Sequence, residues 1–258
     1  MTGQMRLALI SDIHGNREAL EAVLSDAAAR QISHFVVLGD IVGYGPDPAW
    51  CVERVMALAK AGAVVIRGNH DAAIAEGGRD MNPQARAAID WSRPRLTQTQ
   101  RDWLATLPLT QREGEILFTH ASAHSPGDWI YVTSGRDAMA SFRSSDARVI
   151  FCGHVHIPAL YSCDLVGRVH DHQIAAQVAS GNALPLLPSR RWLAVLGAVG
   201  QPRDGSPAAA WAIFDRDRQE ISFRRTAYDH ALTARKLRGS DLAPAIAEAL
   251  AERLREGQ

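Results

Sequence analysis

The sequence is poor in cysteine, carries no net charge and contains no long apolar run. Its 258 residues include three cysteines, at positions 51, 152 and 163, without a C-x-x-C pair. That pattern excludes a disulfide framework and argues against a thiolate zinc site. Lys plus Arg and Asp plus Glu both number 28, so the charge gives no indication of binding to nucleic acid or anionic lipid. No apolar run is long enough to cross a bilayer.

The rest of the composition is that of an ordinary folded protein, with 47% hydrophobic residues. We expect a single domain over residues 1–258, ending in an amphipathic helix at 241–256. Met1–Gln4 lead directly into an apolar strand without a signal-peptide pattern, so we expect a cytoplasmic protein. We interpret the basic residues near the C-terminus as a solvated surface: Arg224, Arg225, Arg235, Lys236 and Arg238.

Strands and helices alternate through the first seventy residues, which predicts a parallel sheet with crossover helices. The segment 82–107 is predicted as a helix broken near Pro94. Beyond residue 157, strand-like segments follow one another with few helices, as in a mixed or antiparallel sheet. These segments are Leu160–Cys163, Trp192–Val199, Ala209–Phe214 and Glu220–Thr226. The pattern predicts an α/β protein with two packed sheets and helices outside.

The stretch Arg67-Gly68-Asn69-His70-Asp71 follows a short apolar run, Ala63–Ile66, which is typical of a buried strand. We expect its polar side chains to lie on a tight turn at the carboxyl end of that strand, where α/β sheets bind ligands. Amide oxygen, imidazole nitrogen and carboxylate are metal ligands or acid–base groups. A single turn of this kind is weak evidence, because Asn and Asp also favour turns for local reasons.

Four other predicted strands end in the same manner, with Asp12 and His14, Asp40, His120, and His154 and His156. If these strands lie in one sheet or in two facing sheets, their ends meet at one edge. Two Asp, four His and Asn69 are too many ligands for one ion, but they suit two ions that share a carboxylate. Mixed imidazole and carboxylate ligands favour Mn, Fe, Zn or Co over Mg or Ca.

These motifs resemble those of the calcineurin-like metallophosphoesterase superfamily, in the same order along the chain. The similarity runs from about residue 5 to 228 and is strongest to small stand-alone bacterial phosphoesterases. The matching motifs are Asp12-Ile13-His14, Gly39-Asp40, Gly68-Asn69-His70-Asp71, Thr119-His120 and Gly153-His154-Val155-His156. The resemblance implies a four-layer α/β/β/α sandwich of two mixed sheets flanked by helices.

The resemblance also implies a role for each of these residues. The first metal would be held by Asp12, His14 and His156, the second by Asn69, His120 and His154, and Asp40 would bridge the two.

A metal-bridging hydroxide would attack phosphorus, and His70 would lie beside the scissile phosphate and protonate the leaving oxygen. Asp71 is the second catalytic candidate. Arg203 and Asn69 are candidate substrate contacts, and Tyr44 either lines the site or packs in the core.

The chain departs from the family pattern near its proposed catalytic histidine. Protein phosphatases of the superfamily have, three residues after the bridging Asp, a second Asp that orients this histidine; here that position is Gly43. The segment 195–198 lacks the Asn and Ser that the bacterial subgroup usually carries. His170-Asp171-His172 is metal-like in composition but matches no family motif, and we interpret it as a loop.

The favoured function is hydrolysis of a small phosphodiester or nucleotide by a binuclear centre, with Mn favoured among Mn, Fe and Zn. The alternatives are a dinucleoside polyphosphate hydrolase acting asymmetrically on diadenosine tetraphosphate, and a serine/threonine protein phosphatase. A non-catalytic scaffold on the same fold would have no need of all seven ligands and His70 together. The expected partner is a small phosphorylated substrate, and the sequence indicates no particular oligomeric state.

Overall fold

The computed structural model describes residues 5–78 and 81–257; residues 1–4, 79–80 and 258 of the expected domain lie outside these ranges. The strands β1 to β12 span, in chain order, Arg6–Ile10, His34–Val37, Val64–Val65, Thr110–Glu113, Ile116–Thr119, Val149–His156, Ala159–Cys163, Val169–His172, Leu184–Pro185, Arg191–Gly197, Ala209–Asp215 and Glu220–Thr226. The helices α1 to α9 span Arg17–Ala29, Pro48–Lys60, Asn69–Glu76, Pro83–Ser92, Gln98–Thr106, Gly135–Ser144, Ala175–Ser180, His230–Arg238 and Pro244–Glu256.

The described strands form two six-stranded mixed sheets. The first sheet has the order β3-β2-β1-β11-β12-β9, and the second has the order β4-β5-β6-β10-β7-β8. In the first sheet β1, β2 and β3 run parallel, and β11 and β12 are antiparallel to their neighbours. In the second sheet β5, β6 and β10 run parallel. The parallel strands β1, β2 and β3 come from the βα repeats of the first seventy residues, as the sequence predicts, and β10 from the later strand-rich part of the chain joins β6 in parallel.

Alternation along β1 shows how the layers are arranged. Leu7 and Leu9 pack in a core that also contains side chains of the second sheet, so this face lies between the two sheets. Ala8 and Ile10 point the other way and pack against α1 and α2. The outer face of the second sheet packs on α6 through Phe142. The four-layer α/β/β/α arrangement is therefore confirmed.

The long helical segment is divided into α4 and α5, as the predicted break near Pro94 implies. The side chain of Thr97 accepts a hydrogen bond from the backbone N–H of Gln100 at the start of α5. Pro48 begins α2, and the Asp47 side chain makes no cap hydrogen bond but accepts one from Lys236. Helix α9 begins at Pro244 rather than Asp241.

Two sequence interpretations are wrong. The stretch after β3 is not an isolated tight turn, because α3 begins at Asn69 and continues to Glu76. His170-Asp171-His172 is not a loop but lies in β8, where His172 pairs with Leu160 of β7. Strand β8 is at the edge of its sheet. Its polar side chains hide the apolar alternation that identifies most strands.

The interpretation of the basic residues near the C-terminus as a solvated surface is correct for Arg238, whose ion pair with Glu248 is exposed, but not for all of them. Arg225 forms a largely buried ion pair with Asp204. Lys236 pairs with both Glu18 and Asp47, which joins α8 to the first helical layer. Sequence patterning cannot show such pairs, because their partners are distant in the chain.

Cys51, Cys152 and Cys163 are free thiols and are buried, in agreement with the expected lack of a disulfide framework. Within the described ranges, no helix has the length and apolar character needed to cross a membrane.

Candidate metal centre

The predicted ligands meet at the carboxyl edges of the two facing sheets. Asp12 and His14 follow β1, Asp40 follows β2, and His120 follows β5. His154 and His156 lie at the C-terminal end of β6. Asn69 is the first residue of α3. The structure therefore brings together all seven residues that the sequence selects. Three groups of these and neighbouring side chains have ligand atoms within 4.8 Å of one another: Asp12, His14 and His156; His14, Asp40 and His70; and Asp40, His120 and His154.

Five of the seven residues have a backbone in the left-handed region: Asp12, His14, Asp40, His154 and His156 have φ values between 49° and 68°. This conformation is costly for a residue with a Cβ atom and persists only where surrounding contacts enforce it. The loops after β1 and β2 supply such contacts, because the His14 N–H donates to the Asp40 carbonyl at 2.8 Å. Strained backbone concentrated at one cluster marks it as a functional site.

Glycine at position 153 allows β6 to approach the β1 loop closely. A Cβ atom there would lie 1.9 Å from the Ser11 hydroxyl and 2.7 Å from Asp12 Oδ2. The same approach lets the His154 N–H donate to Asp12 Oδ2 at 3.0 Å. One oxygen of Asp12 is thereby fixed by the backbone, and the other faces the histidines.

The first group of ligands is oriented by backbone carbonyls. His14 Nδ1 lies 3.1 Å from the Val42 carbonyl, and His156 Nδ1 lies 2.6 Å from the Gln201 carbonyl. A carbonyl only accepts, so each Nδ1 carries the proton and each Nε2 presents a lone pair. The two Nε2 atoms lie 3.1 Å apart, and His156 Nε2 lies 3.3 Å from Asp12 Oδ1.

This convergence of acceptors fits a cation. Asp12 Oδ1 is buried and accepts no hydrogen bond from any residue that the structure describes. Two imidazole lone pairs and a carboxylate oxygen would repel one another at these distances. A divalent ion between them would be coordinated by all three atoms, and the repulsion would be removed. A set of nitrogen and oxygen ligands suits Mn, Fe or Zn.

The second group is built in the same manner around His120. Its Nδ1 donates to the Leu38 carbonyl at 2.6 Å. Its Nε2 lies 3.1 Å from Nδ1 of His154 and 3.2 Å from Oδ1 of Asn69. The amide oxygen of Asn69 and the two imidazoles again offer three lone-pair donors to one point, so this group also fits a cation.

Asp40 lies between the two groups. Its Oδ2 is 3.7 Å from His14 Nε2 and 3.5 Å from His120 Nε2. Its Oδ1 accepts the backbone N–H of His70 at 2.8 Å, which fixes the carboxylate plane. One oxygen thus faces both ligand groups, which is the position that a bridging carboxylate requires.

The electrostatics of the cluster are dominated by burial and by these carboxylates. Burial alone would raise the pKa of Asp40, but the imidazoles of His120 and His70 hold it well below its usual value. Burial lowers the pKa of His120, but Asp40 outweighs that effect and raises it to about 9. For His154, burial and the neighbouring His120 lower the pKa to about 3.

His70 lines the cavity beside the two groups. Its Nε2 is 4.0 Å from Asp40 Oδ2, and its ring lies 4.7 Å from that of His14 and 4.6 Å from that of Tyr44, between centroids. Burial lowers the pKa of His70 to about 4 against the attraction of Asp40. Its Nδ1 is buried and has no hydrogen-bond partner among the described residues. Ring contacts, rather than a carboxylate, therefore orient it.

Asp71, the second catalytic candidate, bonds to backbone N–H groups and not to the ring of His70. Its Oδ1 accepts the backbone N–H of Ile41 at 2.9 Å, and its Oδ2 accepts that of Gly68 at 3.0 Å. No hydrogen bond joins it to the His70 ring in the described part of the chain. Asp71 instead connects the start of α3 to the loop that carries Asp40, and burial raises its pKa to about 7.

A cavity of about 490 Å³ opens over the cluster. Both candidate substrate contacts, Tyr44 and Arg203, line it, although Tyr44 also packs in a core cluster, and the Arg203 side chain donates to Gln201 at 3.1 Å. Trp129 and Tyr131, which the sequence does not single out, form part of the wall. The only signal in the sequence was two aromatic residues within about ten positions of His120.

The chain is similar to known proteins over most of its length. A family model described as calcineurin-like phosphoesterase matches residues 5–158. An uncharacterized protein of Methanocaldococcus jannaschii is 34% identical over 232 residues, 86% of this chain and 88% of that one. The crystal structure of a metallophosphoesterase from Sphaerobacter thermophilus is 37% identical, with a TM-score of 0.83 over 99% and 100% of the two chains. A hypothetical protein from Pyrococcus horikoshii OT3, 20% identical with a TM-score of 0.77 over 95% and 97%, shares the fold.

Proposed function

The chain belongs to the calcineurin-like phosphoesterase family and is a metal-dependent phosphoester hydrolase, and we propose that it hydrolyses small phosphodiesters or nucleotides at a pair of divalent cations. The observation that carries the binuclear centre is the position of Asp40 Oδ2, 3.7 Å from His14 Nε2 and 3.5 Å from His120 Nε2. One carboxylate oxygen within reach of both imidazole groups supports two ions that share it.

Asp12, His14 and His156 would hold one ion, and Asn69, His120 and His154 would hold the other. When bound, the two ions neutralise charge on the phosphoryl oxygens and lower the pKa of water, so that a hydroxide nucleophile is available at neutral pH. The donor set of imidazole, carboxylate and amide oxygen suits Mn, Fe or Zn, and Mn is the ion that we propose to test first.

His70 is a hydrogen-bond donor to the substrate in this proposal. The lowered pKa, about 4, leaves its imidazole neutral at pH 7, so one ring nitrogen carries a hydrogen. Nε2 faces Asp40 and the cavity, and its N–H would donate a hydrogen bond to a phosphoryl oxygen and to the leaving oxygen, which stabilises the negative charge that develops on them. A neutral imidazole also adds no positive charge that would oppose the two cations.

Arg203 would hold the substrate phosphate. One end of its guanidinium donates to the Gln201 side chain at 3.1 Å, whereas its Nε–H is buried without a partner in the described residues. A buried donor of this kind is satisfied by an anionic ligand oxygen. The guanidinium lies 5.9 Å from the centre of the Tyr44 ring, and this proximity supports a shared role of the two side chains in binding the substrate.

The cavity favours a small substrate. Its volume, about 490 Å³, falls within the range of about 300–1,000 Å³ typical of small-ligand sites. The metal ligands are themselves buried at its base, so the phosphorus atom must enter the cavity. A phosphodiester or nucleotide meets this requirement more readily than a phosphorylated side chain on a folded protein.

The test is hydrolysis by Mn-loaded protein of bis-p-nitrophenyl phosphate, compared with p-nitrophenyl phosphate. We expect the diester to be hydrolysed with the higher kcat/KM, and His70→Ala to lose about 100-fold or more in kcat. His34→Ala is the matched control, because His34 is exposed at the opposite end of β2. If neither ester is cleaved above the His70→Ala background, the proposed activity is wrong. Product analysis with diadenosine tetraphosphate separates the dinucleotide alternative.

A further inference from the structure

The wall of the cavity contains two aromatic side chains that the proposed chemistry does not use. Trp129 and Tyr131 line it on the side of His154, and Tyr131 is 50% exposed. Leaving such aromatic area in water at the mouth of a site is unfavourable unless a ligand covers it.

Both rings contact ligands of the second metal group. The ring of Tyr131 stacks on His154 with centroids 4.1 Å apart and an interplanar angle of 15°. Trp129 meets the His120 ring edge-on at 5.9 Å. One face of Tyr131 is therefore covered by His154, and half of the residue is still exposed. A flat group on a phosphate held at the metal site would lie within reach of the two rings that line the cavity.

The segment that carries the two rings is held in place by the protein. The Ser122 N–H donates to the Ile130 carbonyl at 3.0 Å, between the two aromatic positions. Val132 is 1% exposed and anchors the end of the segment in the core with α6. Trp129 has a φ of 54°, a conformation that is rare for a bulky residue and persists at functional sites when the surroundings enforce it.

We propose that Tyr131 and Trp129 form a subsite for a planar aromatic group esterified to the substrate phosphate, either a nucleobase or an aryl group. This inference rests on the proposed function and narrows its substrate class. Ala72, Ala73 and Met81 also line the cavity, so its lining includes apolar side chains besides the two aromatic rings. A stacked ring packs against such a lining without needing particular hydrogen-bond partners.

The experiment compares two esters that differ only in the base: the methyl ester of adenosine 5′-monophosphate and the methyl ester of ribose 5-phosphate. We expect the wild-type, Mn-loaded protein to favour the nucleotide by about tenfold in kcat/KM, as one stacked base predicts. In Tyr131→Leu the ratio falls to about one, and in Tyr131→Phe it is kept. Because Tyr131 also packs on His154, the ratio and the Mn content are measured rather than a single rate. Leu165→Ala, an exposed apolar residue on another surface, is the control and keeps the ratio.

A second pair, benzyl methyl phosphate and cyclohexylmethyl methyl phosphate, distinguishes the two sources of the aromatic group. If the protein prefers the benzyl ester as well as the nucleotide ester, the subsite accepts any planar ring. If it prefers only the nucleotide ester, the subsite is for a nucleobase. The proposal is overturned if the wild type shows equal kcat/KM within both pairs of esters. It is also overturned if the preference for the ester with the planar ring persists when Tyr131→Leu and Trp129→Leu are combined.

Calorimetric binding of adenosine 5′-monophosphate and ribose 5-phosphate to the Mn-loaded protein separates this inference from the proposed activity. If no ester is hydrolysed, the activity is wrong, yet about tenfold tighter binding of the nucleotide that is lost in Tyr131→Leu supports the subsite. Equal dissociation constants for the two phosphates reject it.

Discussion

The Nε2 atoms of His14 and His156 lie 3.1 Å apart, although 142 positions separate the two residues in the chain. Each ring donates its other nitrogen to a backbone carbonyl, at Val42 and Gln201. The facing nitrogens are therefore both acceptors, and so is Asp12 Oδ1 beside them. The fold itself holds mutually repelling groups together, and this makes the stability of the protein depend on what lies between them.

The first prediction concerns metal removal. Dialysis against a chelator should lower the Tm, and adding Mn should restore it, because the ions bind the assembled cluster and not the unfolded chain. With free metal at 100 times its Kd, one site contributes about 2.7 kcal/mol, or a Tm shift of about 5–10 °C for a domain of this size. Differential scanning calorimetry measures the shift, and an unchanged Tm would contradict a metal site at this cluster.

The second prediction uses the different positions of Asp40 and Asp12. Asp40 faces both imidazole groups, whereas Asp12 Oδ1 is 3.8 Å from His14 and 3.3 Å from His156. Asp40→Asn should therefore weaken the binding of both ions, and Asp12→Asn should weaken the binding of only one. Metal content per chain after gel filtration, measured by mass spectrometry, should fall toward zero in Asp40→Asn and toward one in Asp12→Asn. Equal losses in the two variants would argue against a shared carboxylate.

The third prediction concerns the proton on His120, whose pKa is raised to about 9 in the metal-free protein. His14 and His154 have lowered pKa values and are neutral at pH 7, so His120 is the histidine that must lose a proton when metal binds. Affinity for Mn should rise as pH increases from 6.5 and level off above about 9.

Calorimetry of Mn binding in buffers with different ionisation enthalpies counts the protons released. We expect about two per chain at pH 7.5, one from His120, because a protonated imidazole cannot bind a cation, and one from the water that the ions convert to hydroxide. Binding that is independent of pH in the wild type would show that His120 is not a ligand.

The ligands could be predicted from the sequence because parallel strands bring their carboxyl ends to one edge. Once Asp12, Asp40 and His120 were placed at strand ends, their meeting followed from topology. The carbonyls of Val42, Leu38 and Gln201 that orient the imidazoles could not be predicted, because any residue supplies a backbone carbonyl.

The left-handed backbone at the ligands and the aromatic wall escaped prediction for related reasons. A φ above zero is uncommon in any residue other than Gly, so nothing in the sequence predicts it at His14, His154 and His156. Trp129 and Tyr131 lie in a connecting segment without periodicity, where sequence does not show which way a ring points. Topology could be predicted, whereas tertiary contacts at individual positions could not.

The fourth prediction tests Asp71 as a positioning residue. Its carboxylate accepts backbone N–H groups from Ile41 and Gly68. Asp71→Asn turns one of these acceptors into an amide N–H that faces another donor. We expect a loss of about 1–3 kcal/mol in the free energy of unfolding, measured by urea denaturation, and a lower kcat with an unchanged pH profile. A shifted pH profile would instead indicate that Asp71 takes part in proton transfer.

The fifth prediction concerns the space that Gly43 leaves for His70. A Cβ atom on Gly43 would lie 2.2 Å from His70 Nδ1, and the φ of Gly43 is 88°. Gly43→Ala should therefore displace the His70 ring. We expect kcat to fall by about tenfold or more, toward the value of His70→Ala, because a hydrogen-bond donor to the transition state contributes about 100- to 1,000-fold only when correctly placed. Mn content should remain close to that of the wild type, since His70 is not among the proposed ligands.

A double variant shows whether the loss in Gly43→Ala arises through His70. If the methyl group acts only by moving that ring, Gly43→Ala combined with His70→Ala should be no slower than His70→Ala alone, because the two changes remove the same interaction. If the losses multiply, the substitution disturbs something else, such as the neighbouring Val42 carbonyl that orients His14, and Mn content would then fall as well. Non-additive losses with the metals retained would show that this protein positions its histidine by ring packing where a family branch uses a carboxylate.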